Sequence, residues 1–146
     1  MALSIPPAFY KSERAHVVPL STLAANIVRQ LPRFEGEFVF STTDGRRPIS
    51  GFSKSKRRLD KLSGVSDWRI HDIRRTVATE LGRLQIDQLI IDRVLGHSPS
   101  ALRATYNQHE YLSEKYLALS AWSGSLESLS GKTENDLSTM KIGCGD

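Results

Sequence analysis

Apolar and polar positions follow two different spacings along this 146-residue chain, and each spacing predicts a different element. Residues 3–19 contain two short apolar stretches on either side of polar residues 11–14, which predicts two strands joined by a turn. Beyond residue 20, apolar side chains recur every three or four positions, which predicts α-helices. We therefore expect an α+β protein, mostly α-helical, with a small N-terminal β-hairpin.

Capping and stop signals give approximate limits for the helices. Ser21 is a favourable N-cap for the first helix, which carries Leu23, Ile27 and Leu31 on its apolar side and stops at Pro32. Further helices are predicted from a cap at Ser50 or Ser53 to about Leu62, from about His71 to Leu84, from a cap at Asp87 to Gly96, from about Ser100 to Asn107, and from about Leu112 to Leu129. Residues 38–40 are expected to form a short buried strand or extended segment, residues 42–45 a turn, and residues 130–146 a flexible tail.

The apolar side of each predicted helix supplies the candidate core. The helix that begins near His71 carries one stripe, made of Ile73, Val77, Leu81 and Leu84. The helix before it has a shorter apolar side, made of Phe52, Leu59 and Leu62. Both tryptophans, Trp68 and Trp122, are expected to pack in the core.

Composition excludes several classes of protein. A hydrophobic content of 39% and a charged content of 25% are ordinary for a globular domain. The lone Cys144 makes neither an internal disulfide nor a cysteine-based metal site. No apolar run approaches the roughly 18–20 residues that a membrane span needs, and no signal peptide is recognisable. We therefore expect a cytoplasmic protein.

Positive charge is concentrated in the middle of the chain. Residues 46–75 hold ten Lys or Arg residues against three Asp residues, although the net charge of the whole chain is only +4. This distribution suits a nucleic-acid partner, but a solvated helix face gives the same pattern. The candidate phosphate contacts are Lys54, Lys56, Arg57 and Arg58.

The stretch from Trp68 to Tyr111 contains the residues with the most distinctive chemistry. It holds His71, then Arg74 three positions later, then His97 after a Leu-Gly pair, and Tyr106 nine residues beyond His97. Two histidines, an arginine and a tyrosine together suit the attack of a phenol on a phosphodiester. Arginine matches two phosphate oxygens, and residues three apart on a helix share a face.

These motifs, His-Asp-Ile-Arg-Arg-Thr at 71–76, Leu-Gly-His at 95–97 and Tyr106, resemble the tyrosine recombinases of the phage integrase family. The resemblance covers about residues 3–126 and implies an integrase-type helical core. It makes Tyr106 the nucleophile, Arg74 the phosphate clamp, and His71 and His97 further phosphate or proton ligands. It also makes Lys11, on the hairpin turn, the general acid for the leaving oxygen. It implies double-stranded DNA as partner, a tetramer of the full-length parent on DNA, and no cofactor.

The chain departs from the family pattern at its start. The family has another arginine in a helix before the hairpin, and this chain has no room for that segment ahead of Leu3. The amino-terminal DNA-binding domain of the family is likewise expected to be absent from this chain. Residues 1–129 are therefore expected to be the C-terminal part of a catalytic domain, with little activity alone.

Other interpretations of the same residues remain open. Residues 76–95 have the spacing of a helix-turn-helix, so the chain could be a non-catalytic DNA-binding module, although its second helix carries much apolar surface. The apolar stripe of the helix after residue 112 also suits an oligomerisation module. The four histidines lack carboxylates at ligand spacing, so a metal site is not expected.

Overall fold

The structure, a computed structural model, describes residues 1–10, 15–97 and 109–140, with side chains as far as residue 131. The elements in this part of the chain are β1 (Ala2–Ile5), a 3₁₀ turn (Pro7–Phe9), β2 (His16–Pro19), α1 (Thr22–Gln30), α2 (Phe52–Ser63), α3 (Ile70–Arg83), α4 (Gln88–Leu95) and α5 (Leu112–Met140). This confirms the expected fold class, mostly α-helical with a small N-terminal sheet. None of the described helices combines the length and apolar character needed to cross a lipid bilayer.

β1 and β2 form the predicted antiparallel pair. Leu3 lies opposite Val18, and Ile5 lies opposite His16. β1 ends at Ile5 because the next two residues are prolines, which have no N–H to donate to the ladder. The predicted turn between the strands, residues 11–14, lies outside the described residues.

The chain folds into two compact units. The larger unit comprises the described residues of Met1–Ala25 and Val77–Asp146, and the smaller unit is Asn26–Thr76. The buried core of the larger unit consists of Leu81, Ile91, Val94 and Ala118, with Trp122 packed against it. Both β2 and α4 pack against α5, so this helix supports the hairpin and the core together.

Local signals explain where the helices of the larger unit begin and end. The Ser21 hydroxyl accepts a hydrogen bond from the Ala24 N–H at 3.3 Å, which confirms the predicted cap of α1. The Asp87 carboxylate accepts one from the Leu89 N–H at 2.7 Å at the start of α4. α4 ends at Gly96, whose φ of +69° is the left-handed conformation that glycine adopts without strain.

The smaller unit contains α2 and the first residues of α3, and its predicted turn is present. Asp44 and Gly45 have φ angles of 55° and 78°, and the Arg46 N–H closes the turn on the Thr43 carbonyl. α2 runs to Ser63 and is closed by Gly64, near the predicted end at about Leu62, but neither serine caps its start. The N-cap is Gly51, with no side-chain hydrogen bond, so the prediction of a cap at Ser50 or Ser53 was wrong.

Three other predictions about the elements need correction. Residues 38–40 do not form a buried strand: Val39 and Phe40 are exposed, and hydrogen bonds from Phe38 to Gly45 and from Ile49 to Phe40 give no ladder. α5 continues to Met140, so helix stands where a tail was expected from residue 130. The apolar sides of α2 and α3 are buried only in part, because a side chain loses water contact only where another element covers it. Exposed members are Phe52, Leu59, Leu62, Ile73 and Leu84.

Candidate functional site

The first turn of α3 is capped by one of its own acids. The Asp72 carboxylate accepts a hydrogen bond from the Arg69 N–H at 2.8 Å, and its negative charge lies where the helix dipole favours it. His71 and Arg74 lie three residues apart, so both project from one face of this helix. His71 is exposed and Arg74 is partly buried. The structure therefore brings these two predicted site residues together, within the smaller unit.

Arg75 plays a different part from its neighbour Arg74. Its guanidinium lies 3.4 Å from the Asp72 carboxylate, and its side chain is 76% exposed. Surface pairs of this kind contribute little to stability. Arg75 is therefore a surface residue that pairs with Asp72.

His97 is the first residue after the glycine that ends α4, as expected. Its backbone N–H donates to the Asp92 carbonyl at 2.9 Å, which continues the hydrogen-bonding of the last helical turn. Its ring Nδ1 lies 3.0 Å from Oδ1 of the same residue, Asp92. The imidazole is about half exposed. It therefore remains accessible to solvent while it contacts one carboxylate.

The hairpin contacts the α4 end within the larger unit. The Tyr10 hydroxyl donates to the Gly96 carbonyl at 2.6 Å, and the Tyr10 ring stacks on His16 with centroids 5.0 Å apart. A Cβ at position 96 would overlap the Tyr10 hydroxyl and lie 3.2 Å from the His16 Nε2. The glycine is thus required twice, for its φ angle and for this close approach. Tyr10 and His16, on either side of turn 11–14, therefore lie beside Gly96.

A buried lysine ties the same hairpin to α5. The Lys115 ammonium donates to the Val17 carbonyl of β2, and the side chain is only 4% exposed. Burial lowers the pKa of Lys115, Glu110 opposes this shift and Arg93 adds to it. Since the strand carbonyl gains a charged donor, the contact stabilises the position of β2 against α5.

The predicted helix that carries Tyr106 lies outside the described residues, as do Lys11 and its turn, but the two ends of the Tyr106 segment are placed. The described residues stop at His97 before this segment and resume at His109, followed by Tyr111, after it. The Arg93 guanidinium lies 5.6 Å from the centre of the Tyr111 ring, so α4 and the start of α5 are linked by a cation–π contact.

The charged side of α2 separates into two groups of side chains. Lys54, Arg57, Arg58 and Lys61 are all exposed, and their spacing of three, four and seven residues places them on one face, which we call the basic stripe. Lys56 differs, because its ammonium donates to Asp60 and to the Ser66 carbonyl, each at 2.9 Å, and lies 5.0 Å from the Trp68 ring centre. Lys56 therefore packs α2 against the segment that leads into α3.

Sequence motifs do not reveal Asp92, Tyr10 or His16 as parts of the site. Asp92 lies five residues before His97. This separation predicts no contact, because the left-handed glycine between the two residues ends the regular helical geometry. Tyr10 contacts a residue 86 positions away, which no local pattern reveals. Among the described side chains, no group of three or more His, Cys, Asp or Glu residues is placed to hold a metal ion.

The chain is similar to known proteins over most of its length. The family model described as "Phage integrase family" matches residues 3–112. The chain is also similar to the prophage integrase IntZ of Escherichia coli (strain K12), with 29% identity over 140 residues. That match covers 92% of this chain but 34% of the relative, so the chain spans about a third of the length of the integrase it resembles. No solved structure gives a significant match.

Proposed function

The chain belongs to the phage integrase family, and on this premise we propose that it acts as part of the catalytic domain of a site-specific DNA recombinase. The reaction is the cleavage and rejoining of double-stranded DNA through a covalent 3′-phosphotyrosine intermediate. The observation that supports this most directly is the environment of His97. This residue follows the left-handed glycine that ends α4, and its half-exposed imidazole contacts one carboxylate.

In the cleavage step, the phenol oxygen of Tyr106 attacks the phosphorus of the scissile phosphodiester. An oxygen–phosphorus bond to tyrosine forms, and the bond from phosphorus to the 5′ oxygen of the next nucleotide breaks. The phenol gives up its proton, and the leaving 5′ oxygen takes one. Because one phosphodiester replaces another, a 5′ hydroxyl of a second strand can reverse the step and join a new pair of ends.

The remaining residues neutralise charge and transfer protons. The Arg74 guanidinium binds two phosphoryl oxygens, because its planar fork matches their geometry and keeps its charge. His97 donates to the phosphate, and His71 either donates to it or accepts the proton of the nucleophile. The Lys11 ammonium protonates the leaving 5′ oxygen. Lys11 follows Tyr10 in the sequence, and the Tyr10 hydroxyl contacts Gly96, the residue before His97.

The DNA backbone is proposed to contact the basic stripe of α2. Its exposed cations can each approach a phosphate and displace a condensed counterion. Lys56, first grouped with them, makes contacts inside the smaller unit, so we assign it to packing instead.

The test is a search for the tyrosine adduct. Because the chain alone is expected to have little activity, its full-length parent is incubated with nicked duplex DNA of randomised sequence, so that a short cleaved strand diffuses away and the intermediate accumulates. After nuclease and trypsin digestion, mass spectrometry examines the peptide of residues 104–115, which contains both Tyr106 and Tyr111. We expect a nucleotide on Tyr106, none in Tyr106→Phe, and the same adduct in Tyr111→Phe. An adduct on Tyr111, or none at all, would contradict the proposal.

A non-catalytic DNA-binding role is the second candidate, favoured by the exposed basic stripe. Tyr106→Phe separates the two, since it leaves duplex binding unchanged in both and abolishes an adduct only in a recombinase. We further propose that the full-length parent assembles as a tetramer on DNA. Sedimentation of the parent with and without duplex DNA, and with residues 112–146 removed, tests this assembly.

A further inference from the structure

The carboxylate of Asp92 and the imidazole of His97 form a pair that the sequence motifs do not predict. We propose that Asp92 is a positioning residue for His97. Its carboxylate holds the ring by Nδ1, so that Nε2 is the nitrogen left to face the scissile phosphate, and a doubly protonated ring can donate Nε2–H to a phosphate oxygen. This inference rests on the proposed function above, because it assigns a purpose to one contact within that site.

Asp92 holds His97 at two points. The Asp92 carbonyl accepts the backbone N–H of His97 at 2.9 Å, and the Asp92 Oδ1 lies 3.0 Å from the ring Nδ1. The same Oδ1 accepts the Gln88 amide at 3.1 Å from one turn earlier. The carboxylate is thus itself oriented, and the imidazole is restrained at its backbone and at its ring.

The helix dipole does not favour an acid at this position. Asp92 lies in the second half of α4 (Gln88–Leu95), close to the helix C-terminus, where the dipole disfavours a negative charge. The start of the helix already has its own acid, because Asp87 supplies the N-cap. An acid in the unfavourable half is therefore better explained by its contact with His97.

The carboxylate decides which ring nitrogen carries hydrogen. An ionised carboxylate only accepts hydrogen bonds, so the Nδ1 of His97 must be the donor in this pair. Nε2 is then the nitrogen that can meet the substrate. When the ring carries both protons, Nε2–H can donate to a phosphate oxygen while Nδ1–H remains bonded to Asp92. The same arrangement of acid, imidazole and substrate orients the histidine of catalytic triads.

The first arm of the test measures the tautomer of His97 in the 146-residue chain by ¹H–¹⁵N spectroscopy of its imidazole. We expect hydrogen on Nδ1 in the wild type and a shift of population to the Nε2–H tautomer in Asp92→Ala. Asp92→Glu should restore part of the Nδ1–H population. Backbone spectra confirm that each variant is folded. An unchanged tautomer in Asp92→Ala would overturn the positioning role.

A matched control removes the carboxylate from a second histidine. Glu114 lies 3.5 Å from the Nε2 of His109, in a pair of comparable exposure. Glu114→Ala should leave both the His97 tautomer and the rate of adduct formation as in the wild type. A change in either quantity with Glu114→Ala would show that any lost surface acid has this effect, which would overturn the assignment to Asp92.

The second arm measures the rate at which the Tyr106 adduct forms. Asp92→Ala should slow it about tenfold to a hundredfold, by analogy with the loss of carboxylate partners that orient metal-binding histidines. In a His97→Ala background the same change should cost less than about twofold. A further tenfold loss there would show that Asp92 acts through another group. A wild type without adduct would overturn the proposed function, whereas an adduct rate unaffected by Asp92→Ala would overturn only the role of Asp92.

Discussion

The hydroxyl of Tyr10 donates a 2.6 Å hydrogen bond to the carbonyl oxygen of Gly96, across 86 residues of sequence. Tyr10 is the chain neighbour of Lys11, and Gly96 is the chain neighbour of His97. One contact thus joins the chain neighbours of two predicted site residues that lie far apart in the sequence. The hairpin and the end of α4 act as one support for the proposed site.

Replacement of Gly96 by alanine tests this support. Gly96→Ala should lower the free energy of unfolding by about 3 kcal/mol or more, because it adds left-handed strain and a clash with the Tyr10 hydroxyl. Gly64→Ala is the matched control, since Gly64 has φ +71° and no described atom within 4 Å of an added Cβ. It should cost about 1–2 kcal/mol from strain alone. Urea denaturation measures both, and equal losses would show that the Tyr10 contact does not restrict position 96.

The buried Lys115 predicts a pH-dependent stability. Its pKa is lowered in the folded state from 10.5, chiefly by burial, so the folded protein releases this proton before the unfolded chain does. The unfolded state then binds more protons, and stability must rise with pH between the lowered pKa and 10.5. Urea denaturation across alkaline pH should show this rise in the wild type relative to Lys115→Met.

Glu110→Gln sharpens the Lys115 test. Glu110 raises the pKa of Lys115 against the effect of burial, so its removal should move the start of the rise to lower pH. If the wild type and Lys115→Met have parallel pH profiles, then the Lys115 ammonium does not contribute in this way.

The two neighbouring arginines of α3 should respond differently to the same change. Arg74→Lys should slow adduct formation about a hundredfold to a thousandfold, because an ammonium cannot bind two phosphoryl oxygens as a planar fork does. Arg75→Lys should stay within about twofold of the wild type, because this exposed residue pairs only weakly with Asp72. The rate at which the Tyr106 adduct appears is the measurement, and equal effects would remove Arg74 as the phosphate clamp.

The basic stripe predicts a change in the salt dependence of DNA binding. Alanine at Lys54, Arg57 and Arg58 should flatten the slope of log affinity against log salt by about 0.9 for each lost phosphate contact. Lys56→Ala should leave the slope unchanged but lower stability, because it removes the contacts with Asp60 and Trp68. Fluorescence anisotropy over a salt series measures the slope. If the triple variant keeps the wild-type slope, then α2 does not contact the backbone.

The helices that sequence patterns located well are those with strong local signals. The Asp87 cap and the Gly96 stop gave both ends of α4, because capping and left-handed termination involve residues only a few positions apart. The predicted start of α2 was wrong, because the N-cap is Gly51 and not a serine. The apolar residues 38–40 predicted burial, but burial requires a covering element that composition does not reveal.

The sequence alone determined the helical order, the chemistry of the motif and the shared face of His71 and Arg74, because these depend on residue type and on spacing within one or two helical turns. Only the tertiary structure decided which side chains support that motif. In the structure, Lys56 lies against Trp68 and not with the exposed cations of α2. The other supporting contacts join Asp92 with His97, Tyr10 with Gly96 and Lys115 with Val17. Two of these contacts join residues 86 and 98 positions apart. Such contacts form where packing buries polar groups that must find partners, and no local pattern specifies which partner they find.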